Sequence, residues 1–122
     1  MISPLLWVAL GGALGSAARY AMNLALRAVS PAFPWGTFAV NVLGCFIFGL
    51  VAGLEASRGT FGPSGRLFLL VGVLGGFTTF SSFAFESVEL IYAGQPATAA
   101  ANMLGQLLLG TFAVWAGLVL TR

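Results

Sequence analysis

Few side chains in this sequence are equipped for chemistry, and those few sit at informative spacings. Asn41, Asn102 and Gln106 are amides inside apolar stretches. Thr78, Thr79, Ser81 and Ser82 are hydroxyls interleaved with Phe77, Phe80 and Phe83, directly after the pair Gly75-Gly76. Charge rests on five arginines and three glutamates, and histidine, aspartate and lysine are absent. The common general bases and metal ligands are therefore missing, and the set is unsuited to catalysis. Neutral donors, aromatic rings and loosened backbone suit a different task, which is to handle a small ion inside a membrane.

Each polar position carries two readings. Asn41 lies one helical turn after Thr37, so the two share a face; it is either an interhelical hydrogen bond or a donor of its NH₂ to an anion in a narrow path. Asn102 and Gln106 stand at i and i+4 with Gly110 one turn further, either adhesion between helices or a polar track. Arg19 is expensive within a span and seeks a cavity, a headgroup or a carboxylate; Glu86 is the candidate partner. That couple is a structural ion pair or an attractor of anions to a vestibule. Phe80 and Phe83, three residues apart, project in neighbouring directions, and the positive edges of their rings can meet an anion without trapping it.

The run Gly75 to Phe83 interrupts a segment otherwise fit for lipid, because paired glycines and hydroxyls both weaken a helix. Irregular backbone at membrane depth survives only inside protein or beside a watery cavity. The run is expected to break the third span and build an ion site. Freed carbonyls of Gly75 and Thr78 are hard-oxygen donors of the kind that hold Na⁺ at discontinuous membrane helices.

The elements that must position these residues follow from composition. The chain has 122 residues, 59% hydrophobic and 7% charged, where soluble domains carry about a quarter charged residues. Five scattered arginines make no nucleic-acid surface, and the lone Cys45 makes neither a disulfide framework nor a metal site. Apolar stretches near the roughly 20 residues needed to cross a bilayer run from about Leu5 to Leu26, Thr37 to Leu54, Leu67 to Tyr92 and Ala97 to Leu120. Between them lie Ser30-Pro31-Ala32-Phe33-Pro34, Gly62-Pro63-Ser64-Gly65 and Gly94-Gln95-Pro96. The reading is a single four-helix membrane domain. Arg58, Arg66 and Arg122 on one side against Arg27 and Arg19 toward the other give a weak orientation bias, compatible with insertion both ways and antiparallel pairing and equally with a single orientation set by the three arginines. Small residues at helix-contact spacing, such as Gly11 with Gly15 and Gly72 with Gly76, are read as packing.

With these residues assembled, the chain resembles the fluoride channel family known as Fluc or CrcB. The resemblance rests on Gly11-Gly12 with Gly15 and Arg19-Tyr20, on Gly36-Thr37 with Asn41 and Gly44, and above all on Gly75 through Phe83 with Glu86. It implies an all-α dual-topology homodimer in the bacterial inner membrane, with two fluoride pores and a central structural Na⁺. Asn41, Phe80 and Phe83 would line the fluoride path, and Thr37 and Ser81 would add polar contacts. Gly75 and Thr78 would give carbonyls to Na⁺. The family's fourth span often carries hydroxyls where this chain has Asn102 and Gln106. The competing reading is a small proton-coupled multidrug exporter, which needs a carboxylate deep in a span; the first span here has Arg19 and no acid. A structural subunit of a larger complex is a third possibility, and it leaves the polar residues on three spans unexplained.

Overall fold

The computed structural model describes residues 3–122. Among them every regular element is helical, and four helical stretches are long and apolar enough to cross a membrane: Pro4–Leu26, Trp35–Arg58, Gly62–Tyr92 and Pro96–Thr121. The first two are single helices, α1 (Pro4–Leu26) and α2 (Trp35–Arg58). The third is composite: α3 (Gly62–Arg66), a π-helical stretch (Leu67–Leu74), α4 (Gly75–Phe77) and α5 (Phe80–Tyr92). The fourth is α6 (Pro96–Thr121).

Local chemistry accounts for most boundaries. Pro4 and Pro96 open α1 and α6 in the first turn, where a missing N–H costs nothing. The helix α2 runs past the apolar window that ends at Leu54. Its last polar turn continues to Arg58 and stops at Gly59, whose left-handed φ of 58° lets its N–H reach the Glu55 carbonyl at 2.8 Å. The Glu55 carboxylate then accepts the Phe61 N–H at 2.8 Å. The Gly62-Pro63-Ser64-Gly65 run, read from sequence as a separator, is helical as α3, with Pro63 suited to its first turn. The third span therefore starts at Gly62 and not at Leu67.

Packing pairs α1 with the π-helical stretch and α4, α2 with α6, and α5 with α6. These contacts are made at backbone distance. A Cβ on Gly11 would sit 2.9 Å from the Gly72 Cα, and one on Gly117 would sit 2.6 Å from the Leu50 nitrogen. Small residues at such interfaces substitute for the hydrophobic drive that is lacking between helices in lipid. Buried side chains are correspondingly few and mostly small, with Val40 and Asn102 the largest fully enclosed. Leucines and aromatic rings instead point outward along all four spans, toward lipid or another protein surface.

Candidate functional site

Thr78 and Thr79 leave helical geometry, with φ/ψ of −80°/156° and −151°/113°. In a continuous α-helix the Thr79 N–H would bond to the Gly75 carbonyl. Here it donates to Asn41 Oδ1 at 2.8 Å. Asn41 Nδ2 returns a bond to the Thr79 carbonyl at 3.0 Å. A side-chain amide from α2 thus satisfies both backbone polar groups of a buried, extended residue, as a neighbouring strand would. Thr79 also caps α5: its Oγ1 accepts the Ser82 N–H at 3.2 Å and lies 3.0 Å from Ser82 Oγ. Thr78 Oγ1 and the Thr78 N–H both donate to the Leu74 carbonyl, at 2.9 and 3.0 Å.

A line of bonds extends from Asn41 into α6 and back to α5. Asn41 Nδ2 donates to Gln106 Oε1 at 2.7 Å, Gln106 Nε2 to Asn102 Oδ1 at 2.8 Å, and Asn102 Nδ2 to Ser87 Oγ at 3.0 Å. Ser87 Oγ donates in turn to the Phe83 carbonyl at 2.8 Å. Asn102 and Gln106 are both buried, so these bonds remove a desolvation cost that would otherwise amount to about 1–3 kcal/mol per group.

Two concavities flank this seam. A groove of about 610 Å³ is lined by Asn41, Phe80, Phe83 and Gln106, by the threonines Thr78, Thr79 and Thr111, and by mostly apolar neighbours, with no charged side chain among the described residues that line it. The Phe80 and Phe83 rings stand 5.4 Å apart, tilted by 56°, with Phe80 largely exposed. The N-terminus of α5 opens beside them, the positive end of that helix's dipole. A vestibule of about 630 Å³ lies by the α1–α2 connection, lined among others by Arg19, Arg27, Thr37, Ser82 and Glu86. α2 passes from vestibule to groove within one turn, from Thr37 to Asn41.

The residues singled out from sequence are thus distributed unevenly. Asn41, Phe80, Phe83 and Gln106 meet at the groove. Thr37 faces the vestibule, where its hydroxyl donates to Glu86 Oε1 at 2.8 Å. Ser81 lies at the start of α5 with its Oγ 3.4 Å from Thr79 Oγ1, and Asn102 stands behind Gln106. Arg19 and Glu86 share the vestibule rather than a direct bond. Arg19 Nη1 donates to the Thr78 carbonyl at 3.5 Å, and Glu86 Oε2 is buried with no partner among the described residues. Gly75 and Thr78 are close in sequence at the interruption, and the Gly75 carbonyl has lost its usual acceptor role toward Thr79. Two roles escaped the sequence reading. Thr79 was noted there only as one hydroxyl of the break, and its part as N-cap of α5 and partner of Asn41 was not foreseen. Ser87 gave no signal, because its partner Asn102 lies 15 residues away.

Comparison with known proteins matches the sequence of this chain to a named group. The family described as CrcB-like protein, Camphor Resistance (CrcB), matches over residues 6–118. The chain is 51% identical over 117 residues to the fluoride-specific ion channel FluC of Paracoccus denitrificans, covering 96% of this chain and 93% of that protein. It is 48% identical over 115 residues to the FluC of Opitutus terrae, covering 92% and 87%. With the FluC of Agrobacterium fabrum it shares 47% identity over 116 residues, covering 94% and 93%.

Proposed function

Because this chain belongs to the CrcB family, we propose that it is a passive fluoride-selective channel, acting as an antiparallel homodimer with two pores and a central structural Na⁺. Membership makes it an integral membrane protein, of the inner membrane in bacteria, and a channel rather than an enzyme. The observation that carries the reading is the groove: neutral amide, hydroxyl and phenyl groups, without a charge, beside a helix N-terminus. Fluoride is small and tightly hydrated, so a path that admits it replaces water with several donors at once. Donors that are individually weak let the ion leave again, as conduction requires. HF crosses lipid unaided and dissociates at neutral pH, so a passive path for the anion drains the cytoplasm.

In this reading the vestibule guanidiniums of Arg19 and Arg27 concentrate anions. Phe80 and Phe83 present ring edges to the ion, and Asn41, with Thr37 and Ser81 near it, supports the donor wall. Asn102 and Gln106 form its α6 side. The two extended residues Thr78 and Thr79 are the break in the third span.

The Na⁺ reading fits the donors present. The Gly75 carbonyl is released from its usual helical bond, and the Thr78 carbonyl, which follows an extended peptide and accepts Arg19 Nη1 at 3.5 Å, keeps a second lone pair. Neutral oxygens of this kind suit a hard monovalent cation, and a second chain would complete the shell. When bound, the ion would offset the negative ends of the Gly75 and Thr78 carbonyl dipoles. Gly75 is exposed in the single chain, and a Cβ there meets only the Leu70 carbonyl, at 3.8 Å. Gly75→Leu is therefore expected to leave each chain helical but shift the detergent-solubilised protein from dimer to monomer in light scattering. An unchanged dimer mass would count against pairing through this surface.

The channel reading itself is tested by efflux from liposomes loaded with fluoride and chloride, followed with ion-selective electrodes. Rapid fluoride release with negligible chloride release is expected. If folded, reconstituted protein released neither ion, the channel reading would fail and proton-coupled export would be tested next.

A further inference from the structure

The hydrogen-bond line through α2, α6 and α5 has only one consistent direction, and backbone groups at its two ends impose it. At one end the Thr79 N–H can only donate, so the oxygen of the Asn41 amide must face it, leaving Nδ2 toward Gln106. At the other end the Phe83 carbonyl can only accept, so Ser87 donates to it and receives from Asn102. Between them Gln106 must turn Oε1 to Asn41 and Nε2 to Asn102. Amide orientation is normally ambiguous and is inferred from such networks; here both ends demand the same answer.

This has a consequence for the donor wall. Both N–H groups of Asn41 are engaged, one by the Thr79 carbonyl and one by Gln106. Gln106 Nε2 makes a single bond, to Asn102, and so retains a second N–H with no acceptor among the described residues. Gln106 also lines the groove, whereas Asn102 and Ser87 do not. We propose that Gln106 is the amide that offers a free N–H to the anion, and that Asn102 and Ser87 are positioning residues that hold this amide in its donating orientation. The inference rests on the channel reading and assigns separate roles within it. A rotation of Gln106 by half a turn would set Nε2 against the Asn41 NH₂, donor against donor, and Ser87 is the remote anchor against that rotation.

The test measures fluoride flux against fluoride concentration in liposomes for folded wild type and variants. Gln106→Met keeps the length and removes the donor, together with the Oε1 that accepts from Asn41. It is expected to raise the half-saturating fluoride concentration about tenfold, equivalent to about 1.4 kcal/mol. Ser87→Ala, remote from the groove, should raise it several-fold, and Ser87→Thr, which keeps the hydroxyl, should restore it. In a Gln106→Met background Ser87→Ala should add nothing, because it acts only through Gln106. Additive effects in the double variant, or an unshifted half-saturation in Gln106→Met, would overturn the proposal while leaving the channel reading intact. A wild type with no fluoride flux would overturn both.

Discussion

Asn41→Asp is expected to reduce fluoride efflux at least about a hundredfold from liposomes containing folded protein, the largest functional effect of any single isosteric change here. The substitution keeps the oxygen that accepts the Thr79 N–H but turns the other terminal atom from donor to acceptor. That atom then faces the Thr79 carbonyl and Gln106 Oε1, which Asn41 approaches at 3.0 and 2.7 Å. Leaving such groups unmatched costs about 1–3 kcal/mol each. The new negative charge borders the groove as well, and like charges 4 Å apart repel by about 4 kcal/mol at an effective dielectric near 20. Each 1.4 kcal/mol is about tenfold in an equilibrium, so two decades is a conservative sum. Electrode-recorded efflux at the wild-type rate, from protein with an unchanged melting profile, would remove Asn41 from the pathway.

Gly15→Ala should be the most damaging single methyl for stability. A Cβ at Gly15 would run into the Val73 carbonyl oxygen, with the Val73 carbonyl carbon and the Phe77 nitrogen each 2.9 Å away. All three are backbone atoms of the span that α1 packs against, so no side chain can swing aside. Overpacking of this kind costs about 1–3 kcal/mol, and a rigid neighbour places Gly15 at the upper end. Gly12, three residues earlier, has nothing within 4 Å of its would-be Cβ. Gly12→Ala should therefore be neutral or stabilising by up to about 1 kcal/mol through helix propensity. Thermal unfolding in detergent distinguishes them: Gly15→Ala melts lower than wild type and Gly12→Ala does not. Equal melting temperatures would show that the α1 interface gives way more easily than its backbone contacts imply.

The four spans were legible because runs of leucine, valine and phenylalanine are punctuated by proline and glycine, and that alternation dictates crossing segments. Their ends were less so. Nothing apolar extends α2 past Leu54, and it continues to Arg58 because its final turn finds a glycine cap and a carboxylate to hold the chain beyond. Gly62-Pro63 reads as a turn, yet proline at a helix start is tolerated, and α3 forms there. At the candidate site the residue types were visible and the partners were not. Asn41 finds Thr79 across 38 residues and Gln106 across 65, separations at which local patterns carry no information. Opposite charge suggested Arg19 with Glu86, but an extended Thr78 leaves a carbonyl that no helical N–H claims, and the guanidinium donates there. Ser87 stayed hidden because a serine in a helix looks the same whether its hydroxyl merely back-bonds or also anchors a distant amide.

The direction of the bonded line also bears on the energy supply of a cell. Water files and rows of hydroxyls pass protons by hopping and turning, which would short-circuit a membrane that stores energy as a pH difference. Three consecutive members of this line, Asn41, Gln106 and Asn102, are amides, whose hydrogens do not dissociate at physiological pH. Their orientation is locked by backbone at both ends, so they cannot turn to reset for a second proton. A bonded line of this composition backs the groove with N–H donors and gives protons no relay of its own.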